Sequence, residues 1–241
     1  LSSPHMGGGE LKYVNEAFSE NWIAPLGPNV NGLEADIQSY AGVKNAAALS
    51  SGTGAIHLAL DVLGVGEGDY VLVQSFTFCA SVNPIKYLGA KPVFIDSEYD
   101  SWNMCPEALK EALLHFSSQG TLDKVKAIIP VHLYGVPARM NEIMKMADEY
   151  GIPVVEDAAE SLGSLYKGKP TGSFGEAGIF SFNGNKIVTC GGGGAIVTND
   201  IALGEKGKYL TTTAKIPHPY EYVHDEIGYN FRMPNLNAAL A

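Results

Sequence analysis

Short apolar runs alternate with amphipathic stretches along the chain, and this alternation limits the possible folds more than any other feature. Each run is nearly continuous, as is typical of strands covered on both faces. The runs that predict strands are Ala46–Leu49, Tyr70–Gln74, Pro92–Asp96, Ala127–Val131, Pro153–Glu156, Gly178–Phe182 and Ala195–Thr198. The clearest helical patterns between them are Thr53–Gly64 and Asn141–Tyr150. We therefore predict an α/β domain with a mostly parallel central sheet.

The size and charge of the chain exclude several classes of protein. Its 241 residues, 46% of them hydrophobic, are enough to bury a large core. The net charge of -10 argues against a nucleic-acid partner, because phosphate contacts need clustered Lys and Arg. The three cysteines lack a C-x-x-C spacing, which indicates reduced thiols and no zinc site. No apolar run is long enough to span a bilayer, so we expect a cytoplasmic protein without a membrane partner.

Most of the chemically useful polar residues lie directly after the predicted strands. Ligand sites in sheets of this kind lie beyond the carboxyl ends of the strands, where loops lead into helices. The loops at these positions contain Ser50–Thr53, Ser75–Phe78, His132, Asp157 and Asn183–Lys186. We expect these five loops to surround one site.

The first loop, Ser50–Gly54, joins an apolar run to the start of a helix. Its small residues leave backbone N–H groups free, and together with the helix dipole these groups can bind a phosphate. A simple helix cap by Ser51 or Thr53 explains the same residues. The segment is not a Walker loop, because no Gly-Lys-Ser/Thr sequence follows it.

Asp157 and Lys186 are the two charged residues best placed in the sequence to take part in a reaction. A carboxylate at the end of an apolar run needs a partner if it is buried, although Asp157 could equally cap a helix. Lys186 follows a predicted strand and is flanked by glycines, so it can act as a desolvated amine nucleophile or remain an ordinary surface charge. The glycines at 191–194 lack the G-x-G-x-x-G spacing and precede a strand, which argues against a Rossmann dehydrogenase.

Taken together and in order, these segments resemble the DegT/DnrJ/EryC1/StrS family of sugar aminotransferases, which use pyridoxal phosphate (PLP) and have fold type I. The matching motifs are residues 21–28, 51–53, 75–78, 156–164, 180–186 and 228–233. The resemblance implies the large domain of that fold, with a seven-stranded sheet between helices in three α/β/α layers. It also implies that residues 1–241 form this PLP-binding domain, without the small C-terminal domain of the family.

The resemblance assigns the central catalytic roles to residues of this sequence. Lys186 matches the lysine that binds PLP as a Schiff base and then shuttles a proton. Asp157 matches the partner of the pyridinium nitrogen, which keeps the ring an electron sink. Phe78 matches the aromatic residue that stacks on the ring.

The remaining cofactor-binding residues follow from the same resemblance. Gly52, Thr53 and Ser181 match phosphate ligands. Glu160 occupies a position near the cofactor that is often glutamine in relatives. Asn230 matches a residue that contacts the phosphate in the neighbouring subunit, which implies a homodimer with shared sites. His132 could face this pocket or belong to the core, and the sequence leaves both open.

The family implies a PLP-dependent aminotransferase that moves an amino group, from L-glutamate as donor, to a keto carbon of a nucleotide-linked sugar. The residues of the motifs around Asp157 and Lys186 resemble those of the family branch that acts on UDP-linked 4-keto-6-deoxy sugars. The amino sugars made by that branch are used to build surface polysaccharides or glycans. One alternative is a PLP-dependent sugar dehydratase, which Lys186 disfavours because histidine replaces the lysine there. Another is a cofactor-binding domain without catalytic competence.

Overall fold

The structure, a computed structural model, describes residues 3–241. The first two residues of the predicted domain, 1–241, lie outside the described residues. Within the described part, the strands are β1 (Asn45–Leu49), β2 (Tyr70–Gln74), β3 (Lys91–Ile95), β4 (Val125–Ile129), β5 (Val155–Asp157), β6 (Leu165–Tyr166), β7 (Lys169–Pro170), β8 (Ala177–Ser181) and β9 (Gly194–Thr198). The helices are α1 (Glu10–Ser19), α2 (Pro28–Ala41), α3 (Gly52–Val62), α4 (Asn83–Tyr87), α5 (Pro106–Ser118), α6 (Met140–Tyr150), α7 (Ile201–Thr211) and α8 (Asn235–Leu240).

Seven of these strands form the central sheet, in two hydrogen-bonded sections. One section has the order β1-β9-β8-β5 and the other has the order β3-β2-β4. Parallel bridges from Ile128 to Val154 and from Val131 to Asp157 join β4 to β5. Strand β9 runs antiparallel to both of its neighbours, and the other pairings are parallel. The predicted α/β fold with a mostly parallel sheet is thereby confirmed.

The sheet is buried on both faces because successive side chains of a strand point to opposite sides. In β2, Val71 and Val73 pack with α3 and α4, whereas Leu72 packs with α5 and α6. In β1, Ala47 and Leu49 face α3 and α7, and the intervening residues of the strand face α2 and α8. The helices therefore cover the sheet in the three layers expected. No helix within residues 3–241 has the length and apolar character needed to cross a membrane.

The predicted strands are all present, with ends that match or differ by at most two residues. The fifth starts at Val155 rather than Pro153, because Pro153 has no N–H and the Val154 N–H donates to the Glu176 side chain at 2.6 Å instead of to a ladder. The peptide around Pro153 still contributes, since the Pro153 carbonyl accepts the Ile128 N–H at 2.9 Å. Helix α3 starts one residue earlier than predicted, at Gly52, and ends at Val62.

Candidate active site

A cleft of about 520 Å³ lies at the carboxyl ends of the strands, where the sequence predicted a site. Residues from all five predicted loops line it, although His132 itself does not. The predicted site residues that line the cleft are Gly52, Thr53, Phe78, Asp157, Glu160, Ser181 and Lys186. Asn230 is exposed and does not line the cleft in this single chain.

One end of the cleft is formed by the start of α3. The side chain of Ser51 caps this helix by accepting the Gly54 N–H at 3.0 Å. The N–H groups of Gly52 and Thr53 lie in the first turn, where a helix provides no acceptor for them. They remain available, and the helix dipole favours an anion there. Capping and anion binding, which the sequence left as alternatives, are therefore compatible.

Two close contacts fix the position of this loop. A Cβ on Gly52 would lie 3.1 Å from the Cβ of Ser181, so these two residues pack directly against each other in the wall of the cleft. A Cβ on Gly194, in β9, would lie 2.4 Å from the Gly52 nitrogen and 2.5 Å from the carbonyl carbon of Ser51. Only glycine at 194 therefore allows β9 to support the first loop so closely.

Asp157, the last residue of β5, is buried and faces the cleft. Burial raises the pKa of its carboxyl group, and the Ser81 hydroxyl partly offsets this by donating to Oδ2 at 2.5 Å. The Ser81 hydroxyl in turn lies 2.7 Å from that of Thr77. The Oδ1 atom accepts the Ala159 N–H at 3.1 Å within a turn, so Asp157 does not cap a helix. The charge of Lys186 offsets this burial only in part, and among residues 3–241 no cation lies within ion-pair distance of the carboxyl group.

Lys186 and Glu160 form an ion pair in the cleft. The Lys186 Nζ lies 3.0 Å from Oε1 of Glu160, and the two side chains are 13% and 21% exposed. The other oxygen of Glu160 accepts the Tyr134 N–H at 3.0 Å. Lys186 is therefore not a freely solvated surface charge, and the ion pair with Glu160 fixes the position of its amine in the cleft.

His132 belongs to the interior, which resolves the alternatives that the sequence left open. Its ring is fully buried, and Nδ1 accepts the Ala138 N–H at 3.0 Å, so Nε2 carries the ring hydrogen. That hydrogen is donated to Glu156 at 2.9 Å. Glu156 also accepts three backbone N–H groups, from Gly172, Phe174 and Gly175. This buried network ties the loop after β4 to the segment before β8, and so it supports the site without facing it.

Sequence reasoning missed Ser81 as well as the role of Glu156. Ser81 lies in a short 3-10 turn just after Phe78, and its contact with Asp157 spans 76 residues of sequence. The only local signal is that this serine lies three residues beyond Phe78, the end of a loop already expected at the site. Phe78 is 73% exposed, so one face of its ring is open to a ligand in the cleft.

These residues fit a phosphate-bearing pyridine cofactor. Gly52, Thr53 and Ser181 together offer N–H and hydroxyl donors to a phosphate. The buried carboxyl of Asp157 matches a protonated ring nitrogen, which would supply the charged partner that it lacks. Lys186 provides an amine for a covalent bond to an aldehyde. PLP carries all three groups.

Comparison with known proteins agrees with this fit. The model of the DegT/DnrJ/EryC1/StrS aminotransferase family matches residues 4–241. EpsN of Bacillus subtilis (strain 168), assigned as a pyridoxal phosphate-dependent aminotransferase, is 57% identical over 100% of this chain and 61% of its own length. GDP-perosamine synthase of Escherichia coli O157:H7 is 42% identical over 98% of this chain and 63% of its own length.

A solved structure gives the same result for the fold. The crystal structure of a DegT DnrJ EryC1 StrS aminotransferase from Brucella abortus is similar with a TM-score of 0.90 and 36% sequence identity. The match covers 96% of this chain and 61% of that one. The chain thus spans about three fifths of the length of the relatives that it matches.

Proposed function

Because the chain belongs to the DegT/DnrJ/EryC1/StrS aminotransferase family, whose cofactor is PLP, we propose that the whole protein transfers an amino group to a nucleotide-linked keto sugar. The observation that carries this proposal is the placement of Lys186 and Asp157 in one cleft, opposite the free N–H groups of α3. An amine, a buried carboxyl group and an anion-binding loop are the three protein groups that PLP chemistry requires.

In this proposal Lys186 performs the proton transfers. Its amine would hold the cofactor, and as a free amine it would remove the proton from the α-carbon of the donor. The same amine would then deliver that proton, as a general acid, to the cofactor carbon that receives the amino group. Glu160 is within 3.0 Å of the Nζ atom and limits where the released amine can move. When bound, PLP supplies an electron sink for the pair left at the α-carbon.

The other residues bind and orient the cofactor. Asp157 would accept a hydrogen bond from the protonated ring nitrogen, and Ser81 holds the carboxyl group in place at 2.5 Å. Gly52, Thr53 and Ser181 would donate hydrogen bonds to the phosphate. The exposed Phe78 would stack on the ring and exclude water from it.

We further propose that L-glutamate is the donor and that the acceptor is a UDP-linked 4-keto-6-deoxy sugar used in surface polysaccharide or glycan synthesis. The motifs around Asp157 and Lys186 support the UDP-linked class. The relatives named GDP-perosamine synthase favour a GDP-linked sugar as a second candidate. The aminotransfer chemistry at Lys186 is the same for both.

We also propose a homodimer in which Asn230 contacts the phosphate in the neighbouring subunit. The exposure of Asn230, outside the cleft of its own chain, supports this assignment. Residues 1–241 would be the PLP-binding large domain of a longer protein, as the greater length of the relatives suggests. In that protein a smaller domain would cover the substrate.

A paired assay tests the proposed function. The purified protein is loaded with PLP and supplied with L-glutamate and either a UDP-linked or a GDP-linked 4-keto-6-deoxy sugar, and the products are analysed by mass spectrometry. We expect an amino sugar from one of them and none from the Lys186→Ala variant. Amino transfer at the wild-type rate by Lys186→Ala would refute the mechanism. Loss of water without amination would favour the dehydratase, and no turnover would favour a catalytically incompetent domain.

A further inference from the structure

Three large aromatic side chains surround the mouth of the cleft without packing into the core. Phe76 is 46% exposed, Trp102 is 57% exposed and Tyr134 is 70% exposed. Phe76 and Tyr134 line the cleft, and the ring of Trp102 lies 5.6 Å from that of Phe76, tilted by 54°. We call these three residues the aromatic rim. Exposed apolar side chains gathered at the edge of a cleft are typical of a binding site.

Two members of the aromatic rim have a backbone conformation that side chains rarely adopt. The φ angle is 65° at Trp102 and 51° at Tyr134, both in the left-handed region that favours glycine. Such conformations persist only where the surroundings hold them, and they are concentrated at functional sites. This backbone strain therefore indicates that other residues hold the two loops in place and that the exposed aromatic side chains have a function.

The support consists of two buried side-chain amides. Asn103, next to Trp102, accepts the Leu133 N–H at 3.0 Å and donates to the Val136 carbonyl at 2.9 Å. It thereby joins the loop of Trp102 to the loop of Tyr134. Gln74 donates to the Phe76 carbonyl at 2.9 Å and accepts the Met104 N–H at 2.7 Å. The loops that carry the aromatic rim are thus fixed relative to each other before any ligand binds.

The aromatic rim starts directly beside the reactive amine. The N–H of Tyr134 donates to one oxygen of Glu160, and the other oxygen of Glu160 pairs with Lys186, each at 3.0 Å. A substrate whose ketone lies at Lys186 and which extends along the wall formed by Tyr134 and Phe76 would therefore reach the aromatic rim. The nearby cation Arg139 is already engaged by Asp100 at 2.9 Å and by Glu98 at 3.7 Å. The rim consequently offers flat apolar faces rather than a positive charge for a carboxylate.

We infer that the aromatic rim stacks on the nucleobase of the acceptor substrate and thereby selects nucleotide-linked sugars. A nucleobase is a planar π system, and bases stack on exposed aromatic side chains in many proteins. The amino donor has no flat group that would need such a surface. This inference rests on the proposed function, since it concerns the second substrate of the same site.

Tryptophan fluorescence tests the inference without requiring turnover. The chain contains two tryptophans, so Trp22→Phe leaves Trp102 as the single reporter. Titration with UDP and with GDP should quench its emission in a saturable manner. Phe76→Ala in this background should weaken the affinity by about 5- to 150-fold, the range for loss of one base–aromatic stack. The matched control is Phe18→Ala, since Phe18 is 60% exposed on α1 and does not line the cleft.

Kinetics give a second readout. Trp102→Ala should raise KM for the nucleotide-linked sugar by a similar factor and leave KM for L-glutamate unchanged. Unchanged nucleotide affinity in Phe76→Ala together with an unchanged KM for the sugar in Trp102→Ala, or no quenching by either nucleotide, would overturn the inference. So would a change from dimer to monomer in Trp102→Ala with unchanged affinity, because the rim would then be a subunit contact. Failure of the wild-type protein to react with L-glutamate would instead refute the proposed function, while quenching of Trp102 would still support a nucleotide-binding rim.

Discussion

The ammonium group of Lys186 lies 3.0 Å from the carboxylate of Glu160, and both side chains are largely buried in the cleft. This ion pair exists only while the lysine is free. If Lys186 holds PLP as proposed, its free ammonium group is consumed and this ion pair is lost, so the pair would oppose capture of the cofactor and stabilise the released amine. Glu160 thereby differs in its effect from a glutamine, which could still accept the Tyr134 N–H but would carry no charge.

Glu160→Gln should therefore bind PLP more tightly, by up to about fivefold, the range expected for a partly exposed ion pair. Titration with PLP, followed by its visible absorbance, measures the change. Glu111→Gln, on the exposed face of α5, is the control and should match the wild type. Weaker binding by Glu160→Gln would show that the carboxylate stabilises the bound cofactor instead.

The substitution Asp157→Asn should have opposite effects on the stability of the fold and on aminotransferase activity. Burial raises the pKa of Asp157, so the folded protein retains this proton to a higher pH than the unfolded chain does. The resulting stabilisation is present at low pH and is lost as the pH rises through the folded-state pKa. Above that pH, the cofactor-free wild type contains a buried carboxylate, which an asparagine would replace with a neutral group of the same shape.

We expect cofactor-free Asp157→Asn to melt at a higher temperature than the wild type above the folded-state pKa of Asp157, with a difference that shrinks towards acidic pH. Its aminotransferase activity should fall by at least about 100-fold, because an asparagine does not stabilise the ring-nitrogen charge. Thermal unfolding at several pH values and initial rates measure both effects. Asp148→Asn, exposed on α6, is the control. A destabilised but active Asp157→Asn protein would contradict the assignment.

Gly194→Ala tests the close support of the first loop by β9. The added Cβ would lie 2.4 Å from the Gly52 nitrogen, which can move only with the backbone. We expect a loss of about 1–3 kcal/mol in the free energy of unfolding, or roughly 2–4 °C in Tm per kcal/mol, together with weaker PLP binding. Gly192→Ala is a matched control, since Gly192 lines the same cleft and its added Cβ meets nothing within 4 Å. Equal effects of the two substitutions would refute this account.

Glu156→Gln tests the buried network beneath the site. The carboxylate accepts hydrogen bonds from His132 and from three backbone N–H groups, and a glutamine would direct its own NH₂ group at some of these donors. The free energy of unfolding should fall by about 2–4 kcal/mol. Chemical denaturation measures this change, with Glu111→Gln as the exposed control. Unaltered stability would show that the network contributes little.

The strand pattern and the five loops were predictable from the sequence because both depend on residues that are close together along the chain. The period of the apolar residues sets which elements form, and the carboxyl ends of parallel strands bring loops such as Ser50–Thr53 and Asn183–Lys186 to one edge. The family resemblance then selected Lys186 and Asp157 within those loops. The structure brings both into the same cleft.

The support of the site was not predictable, because it depends on contacts between distant segments. Ser81 and Asp157 are 76 residues apart, and nothing near either residue indicates their hydrogen bond. For His132 the sequence could not distinguish the core from the cleft, since the direction of its ring depends on Glu156 and Ala138. The left-handed backbone at Trp102 likewise has no signal in the sequence, where glycine or asparagine would be expected.

The most direct test of the central claim is to trap the cofactor on its lysine. The purified protein is mixed with PLP, its absorbance spectrum is recorded, and borohydride reduction is followed by peptide mapping. We predict a visible band of the lysine-bound cofactor and a label on Lys186, both absent from Lys186→Ala. Absence of the band, or a label spread over other lysines, would contradict the assignment of this cleft as a PLP site.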